Sequence, residues 1–245
     1  MNALAAAGSR VLDLLFPPAC ELCGAACEGH LCDACAASIR PRDPRVCCRV
    51  CGKTLIEDDR AAGALAPLCR RCRTEPPAFA LARSAAAFHG PMGTLVHKLK
   101  YAKATWLAGT VARFMAQCFR DAYGAERVDL VCPVPLHPAK ELARGYNQAA
   151  LLAAALGERL SLPARADLLL RVRDTATQTR MDADERRVNV RGAFAAAPGA
   201  AARLAGKTVL LVDDVMTTGA TFGACAAVLR DAGAVRVLAL SAARD

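Results

Sequence analysis

Two hydropathy patterns divide this chain. Beyond residue 77, short apolar runs bounded by turn residues, "VDLVCPV" (128–134), "TVLLVDDV" (208–215) and "AVRVLAL" (234–240), predict buried strands. Between them, apolar residues recur three and four apart. "MGTLVHKLKYAKATWLAGTVARFMAQCF" (92–119) carries Leu95, Leu99, Leu107, Val111 and Met115 on recurring faces, and "NQAALLAAALGERL" (147–160) and "TFGACAAVLRDAG" (221–233) read as helices too. Strands alternating with helices predict an α/β fold, a mainly parallel sheet with helices on both faces. Before residue 77 this rhythm is absent and cysteines take its place. Pro76-Pro77 mark the change, so the expected domains are 1–77 and 78–245.

Ten of the thirteen cysteines fall in the first 72 residues, and eight form four C-x-x-C pairs. A two-residue gap lets a tight knuckle aim both sulfurs at one tetrahedral ion, and two knuckles close a structural zinc site. Sequential pairing assigns Cys20, Cys23, Cys32 and Cys35 to a first Zn²⁺ and Cys48, Cys51, Cys69 and Cys72 to a second; interleaved pairing satisfies the spacing as well. A thioredoxin-like use of these pairs would need a βαβ context that the segment lacks. Cys27, His30 and Cys47 are left over near the sites, with Cys47 able to replace Cys48. Cys118, Cys132 and Cys225 sit in apolar contexts as core residues. Metal binding can supply much of the folding free energy of so small a module.

No apolar stretch approaches the roughly 18–20 residues that span a bilayer. The opening "MNALAAAGSRVLDLLF" lacks a basic n-region and is interrupted by Arg10 and Asp13, so it reads as a short helix of a cytoplasmic protein. The net charge of +9 suggests an anionic partner, nucleic acid or a phosphorylated ligand. Much of the alanine and arginine content needs no functional explanation beyond a GC-rich genome.

The densest chemistry lies in "VLLVDDVMTTGAT" (209–221). In parallel sheets ligands bind beyond the carboxyl ends of the strands, so Asp213 and Asp214 are expected at a site edge. The next residues lead into a helix whose first turn has unpaired N–H groups and a positive dipole end, which suits phosphate. Gly219 permits close approach, and Thr217, Thr218 and Thr221 add hydroxyls. Phosphate would repel the carboxylates, so sugar hydroxyls or Mg²⁺ are their expected partners. A Walker B strand would need a P-loop, which the sequence does not contain. Surface acids beside a threonine turn are the plain structural alternative.

This stretch resembles the phosphoribosyl pyrophosphate (PRPP) signature of type I phosphoribosyltransferases. The resemblance implies that Asp213 and Asp214 act at the ribose and that Met216, Thr217, Thr218, Gly219, Ala220 and Thr221 hold the 5′-phosphate. "CPVPLHPAKELARGYNQAALLA" (132–153) resembles the strand, pyrophosphate loop and helix of the competence protein ComF/GntX-like branch, placing Lys140, Arg144 and Gly145 at pyrophosphate and Asn147-Gln148 at a helix start. "LLRVRDTATQTRMDADERRVNVRGAF" (169–194) resembles the same branch's mobile-loop segment, with Arg173, Gln178, Thr179, Arg187 and Asn189 matching. The N-terminal zinc ribbon belongs to that architecture as well.

The resemblance implies a PRPP site with Mg²⁺ and a role in natural competence, including single-stranded DNA uptake and contacts with competence-machinery proteins. A true phosphoribosyltransferase acting on an unidentified base is one alternative, and a zinc-propped scaffold is another. Lys98, Lys100, Tyr101 and Trp106 are possible lining groups, and a basic helix face explains them equally. Phe16 is the only aromatic residue before 79, which disfavours base stacking by the zinc module, whereas Arg40, Arg42, Arg45, Arg49, Arg70, Arg71 and Arg73 could meet phosphates.

Overall fold

The computed structural model describes residues 18–55, 67–124, 126–175 and 183–245; the helix expected within residues 1–16 lies outside them. In chain order the elements are α1 (Asp33–Ser38), α2 (Arg70–Thr74), β1 (Leu81–Ala87), α3 (Pro91–Tyr101), α4 (Leu107–Tyr123), β2 (Leu130–Pro133), α5 (Pro138–Arg144), α6 (Gln148–Leu160), β3 (Leu169–Arg171), α7 (Ala183–Val190), β4 (Phe194–Ala196), α8 (Ala200–Leu204), β5 (Thr208–Met216), α9 (Ala220–Asp231) and β6 (Arg236–Arg244).

The main sheet runs β1-β6-β5-β2, and all three pairings are parallel. Side chains alternate across each strand, and here both faces are buried. Val209, Leu211, Cys132 and Val237 join one core with Phe222, Cys225 and Leu229 of α9. Leu210, Val212, Val131 and Leu238 join the other, with α3, α4 and α6. The sheet is therefore covered on both faces, and β3 and β4 form a separate antiparallel ribbon.

One expectation needs correction, and one strand was not anticipated. The stretch 92–119 is not one helix: α3 ends at Tyr101, Lys103 adopts a positive φ of 56°, and α4 starts at Leu107. The break is anchored from outside, because Glu21 accepts from Lys98 Nζ at 2.8 Å and from Trp106 Nε1 at 2.8 Å. The alanine-rich "LARSAAA" gave no strand signal, yet it forms β1, paired along β6.

The zinc module covers the outer edge of β1. Ala82 N donates to Val50 O at 2.7 Å, and Pro41 bridges Ala86. Buried Arg244, at the end of β6, donates to Cys51 O at 2.9 Å. An edge strand left open would template association with other chains, so this cover also protects the fold.

Candidate ribose-phosphate site and zinc centres

The two adjacent acids at the end of β5 meet different neighbours: Asp214 faces Lys100 of α3, and Asp213 and Arg171 of β3 act on each other. Asp214 is 3% exposed, and its Oδ2 lies 3.0 Å from Lys100 Nζ, brought there by α3. The contact is ionic: Oδ2 is buried without a well-directed hydrogen bond. Burial works against the Lys100 ammonium, but the charges of Asp214 and Asp213 outweigh it and hold its pKa above the ordinary lysine value.

Asp213 keeps part of its surface open although protein surrounds most of it. Burial first, then the Asp214 charge, pushes its carboxyl up to about 8. On its side Arg171 leaves β3 stacked over Phe194, 5.4 Å from the ring centroid, with its charge acting on Asp213. Desolvation lowers the Arg171 pKa, and its buried Nε has no hydrogen-bond partner among the described residues. The sequence pattern singles out Arg173 and not Arg171. Its only signal was a basic residue ending a short apolar strand.

The loop after β5 turns on Gly219, which opens α9 with φ +79°, a conformation that favours glycine. Ala220 N donates to Thr218 Oγ1 at 3.3 Å, and Gly223 N to Gly219 O at 2.8 Å. Thr217, Thr218 and Thr221 are half-buried around this turn. Met216 is 1% exposed and packs beneath Gly219, so only its backbone could serve a ligand. Ala220 is also buried, which limits it in the same way.

On the opposite loop, Asn147 caps α6 by accepting from Ala149 N at 2.9 Å, and its Nδ2 donates to Val134 O at 3.0 Å. Gly145 ends α5 with φ +91°. Lys140 Nζ pairs with Asp174 at 2.9 Å and donates to Thr175 O at 2.6 Å, which ties this loop to the segment after β3. Arg144 bonds Gln148 and lies 5.8 Å from the centre of the Tyr101 ring. Arg173 donates to the carbonyls of Asn189 and Arg191, closing the base of that segment instead of pointing to the acids. Gln178, Thr179 and the Arg187 side chain lie outside the described residues.

The cysteines gather in the sequential grouping. Cys20, Cys23, Cys32 and Cys35 form one cluster and Cys48, Cys51, Cys69 and Cys72 another, each with all sulfurs within 4.8 Å of one another. Cys23 and Cys32 Sγ are 3.7 Å apart, as are Cys51 and Cys69 Sγ. Four sulfurs at about 2.3 Å from a tetrahedral Zn²⁺ stand about 3.8 Å from each other. Both clusters thus fit Zn²⁺ and neither is a set of disulfides. The first cluster is more open, with only Cys20 buried in the core on one face of the sheet, whereas all four cysteines of the second are buried in the core on the other face. Cys27, His30 and Cys47 stand outside both. Cys132 and Cys225 are fully buried, and desolvation pushes the Cys132 thiol up to about 12.

Several arginines of the module are already engaged. Arg42 donates to Thr54 and Gly52, Arg45 chelates Asp43, and Arg71 donates to the carbonyl of Thr218. Arg40 and Arg49 are exposed.

Comparison with known proteins defines the class: residues 11–73 match the double zinc ribbon domain family and residues 101–244 the phosphoribosyl transferase domain family. The chain belongs to the ComF-like family, whose larger domain is of phosphoribosyltransferase type. It is 32% identical over 230 residues to the DNA utilization protein YhgH of Salmonella typhimurium, spanning 91% of this chain and 96% of that one. Competence protein F of Haemophilus influenzae is 31% identical over 179 residues, 72% of this chain and 78% of that one. Among solved structures, the allosteric regulatory enzyme of purine biosynthesis is similar at a TM-score of 0.37 and 23% identity, over 55% of this chain and 25% of that one. The fold assignment rests on strand order and the family match. Among the described residues, no helix is long and apolar enough to cross a membrane.

Proposed function

We propose that the β5–α9 turn binds PRPP or a related ribose phosphate together with Mg²⁺. The observation that carries this is the placement of Asp213, Asp214 and the Gly219 turn at one strand end, in a chain of this family. The first amides of α9 have no intrahelical acceptors and suit the 5′-phosphate. Asp213 and Asp214 fit ribose hydroxyls or a hard cation, since buried Asp214 Oδ2 lacks a well-directed hydrogen bond. Mg²⁺ would supply charge to neutralise the pyrophosphate. Lys100, Arg171, Lys140 and Arg144 are the cations available to the anionic ligand, Lys100 by exchanging Asp214 for it. Titration calorimetry with Mg²⁺-PRPP tests this: one site per chain in wild type, lost when Asp213 and Asp214 are both replaced by asparagine. Binding that survives the double replacement would sink the proposal.

Turnover is a separate matter. Pyrophosphate release across a panel of bases supports a phosphoribosyltransferase; PRPP binding with silence across the panel supports a binding protein. The names of the relatives, competence and DNA utilization, favour work on DNA; we propose single-stranded DNA, handled in the cytoplasm with competence-machinery proteins, as that work. Arg40 and Arg49 are two of the exposed module arginines and are our candidates for that role. If they contact phosphates, Arg40→Ala/Arg49→Ala weakens single-strand binding and lowers its salt slope by about one to two, as two lost phosphate contacts require. An unchanged slope moves the DNA surface elsewhere.

A further inference from the structure

The second zinc knuckle reaches into the phosphate turn. Immediately after Cys69, α2 carries Arg71, half-buried, whose Nη1 donates to the carbonyl oxygen of Thr218. That bond spans 147 residues of sequence and joins the zinc module to the loop between β5 and α9. The module cannot slide away, because Val50 holds Ala82 of β1 and Arg244 of β6 holds Cys51. The far end of the loop is also pinned, by Asp245 N donating to Met216 O at 3.2 Å.

The Thr218–Gly219 peptide is planar and trans, so its carbonyl and the Gly219 N–H point in opposite directions. A carbonyl drawn to Arg71 therefore aims the Gly219 N–H away from the zinc module. Glycine at position 219 leaves the peptide free to flip, since it adopts either sign of φ. Flipped, the carbonyl oxygen would face the ligand side and oppose an anion.

We infer that Arg71 is a positioning residue that locks the Thr218–Gly219 peptide in its phosphate-accepting orientation and so makes the second zinc site part of the ligand site. This inference rests on the ribose-phosphate proposal. It makes the zinc module a determinant of affinity for the 5′-phosphate and not only a cover for the sheet edge.

The test measures affinity for ribose 5-phosphate and for Mg²⁺-pyrophosphate, with zinc content, in full-length wild type, Arg71→Ala, Arg71→Lys and Arg120→Ala, the last an exposed arginine of α4. Losing a charge-assisted bond at a half-buried acceptor predicts ribose 5-phosphate affinity lower by about tenfold in Arg71→Ala. Arg71→Lys, which keeps a donor, recovers most of it; Arg120→Ala matches wild type. Mg²⁺-pyrophosphate affinity stays within about twofold throughout, and two zinc ions per chain are retained. Wild-type affinity for ribose 5-phosphate in Arg71→Ala overturns this inference alone. Equal losses of both ligands, or loss of zinc, also overturn it, because the effect would then be global. No binding of either probe by wild type overturns the ribose-phosphate proposal and this inference with it.

Discussion

Replacing Cys72 by serine lowers Tm by on the order of 10 °C or more and promotes association, whereas Cys23→Ser costs a few degrees. Structural zinc contributes about 10–16 kcal/mol in small modules, comparable with the whole stability of a domain. The two sites spend that free energy differently. Cys48, Cys51, Cys69 and Cys72 are all buried and share a core with Phe79, Leu211 and Phe222, so losing one ligand loosens a face of the sheet and bares the β1 edge. Cys23 is exposed, and of its four-cysteine site only Cys20 is buried in the core, so losing Cys23 removes a ligand from the open side of the module. For a chain of this length about 3–5 kcal/mol corresponds to roughly 10 °C or more. Thermal unfolding with zinc stoichiometry checks the asymmetry; equal losses at Cys23 and Cys72 would contradict it.

Asp213→Asn and Asp214→Asn shift stability in opposite directions although both weaken Mg²⁺-PRPP binding. Asp214 is the partner of Lys100, whose side chain is 25% exposed. Removing it leaves a largely buried cation unpaired, with a cost of about 1–3 kcal/mol once partial solvent access discounts the fully buried case. Asp213 is different, because burial and the Asp214 charge raise its carboxyl from 3.8 to about 8. Between those two values the folded protein holds a proton that the unfolded chain has released. Its contribution is therefore complete below pH 4 and is lost as pH rises towards 8, with a slope of at most about 1.4 kcal/mol per pH unit. Asp213→Asn removes that slope and stabilises the protein at pH 8 and above. Denaturant unfolding at pH 5, 7 and 9 checks both signs, and destabilisation by Asp213→Asn at pH 9 would contradict the assignment.

Much of the sheet was legible because β2, β5 and β6 are apolar on both faces, leaving their periodicity little competition. β1 was not, since alanine carries almost no strand signal and its position is set by pairing with β6 and by the zinc module over its edge. The break between α3 and α4 was hidden for a similar reason: Glu21, some eighty residues earlier, anchors Lys98 and Trp106 on either side of it. In the candidate site, the residue types around the strand end could be read locally, but their partners could not. Lys100 reaches Asp214 and Arg71 reaches Thr218 through the tertiary fold, and local spacing does not encode either contact. Arg173 matched a sequence pattern yet closes the base of a loop, while Arg171, two residues earlier, is the one whose charge acts on Asp213.

The most direct test is the structure of the full chain with Mg²⁺-PRPP bound. The 5′-phosphate should sit within about 3 Å of backbone amides between Thr217 and Thr221, with the ribose hydroxyls or the cation at Asp213 and Asp214. A phosphate lodged instead between the zinc module and the outer side of α9, near Arg71 and Arg191, with the two carboxylates untouched, would contradict the assignment of the site.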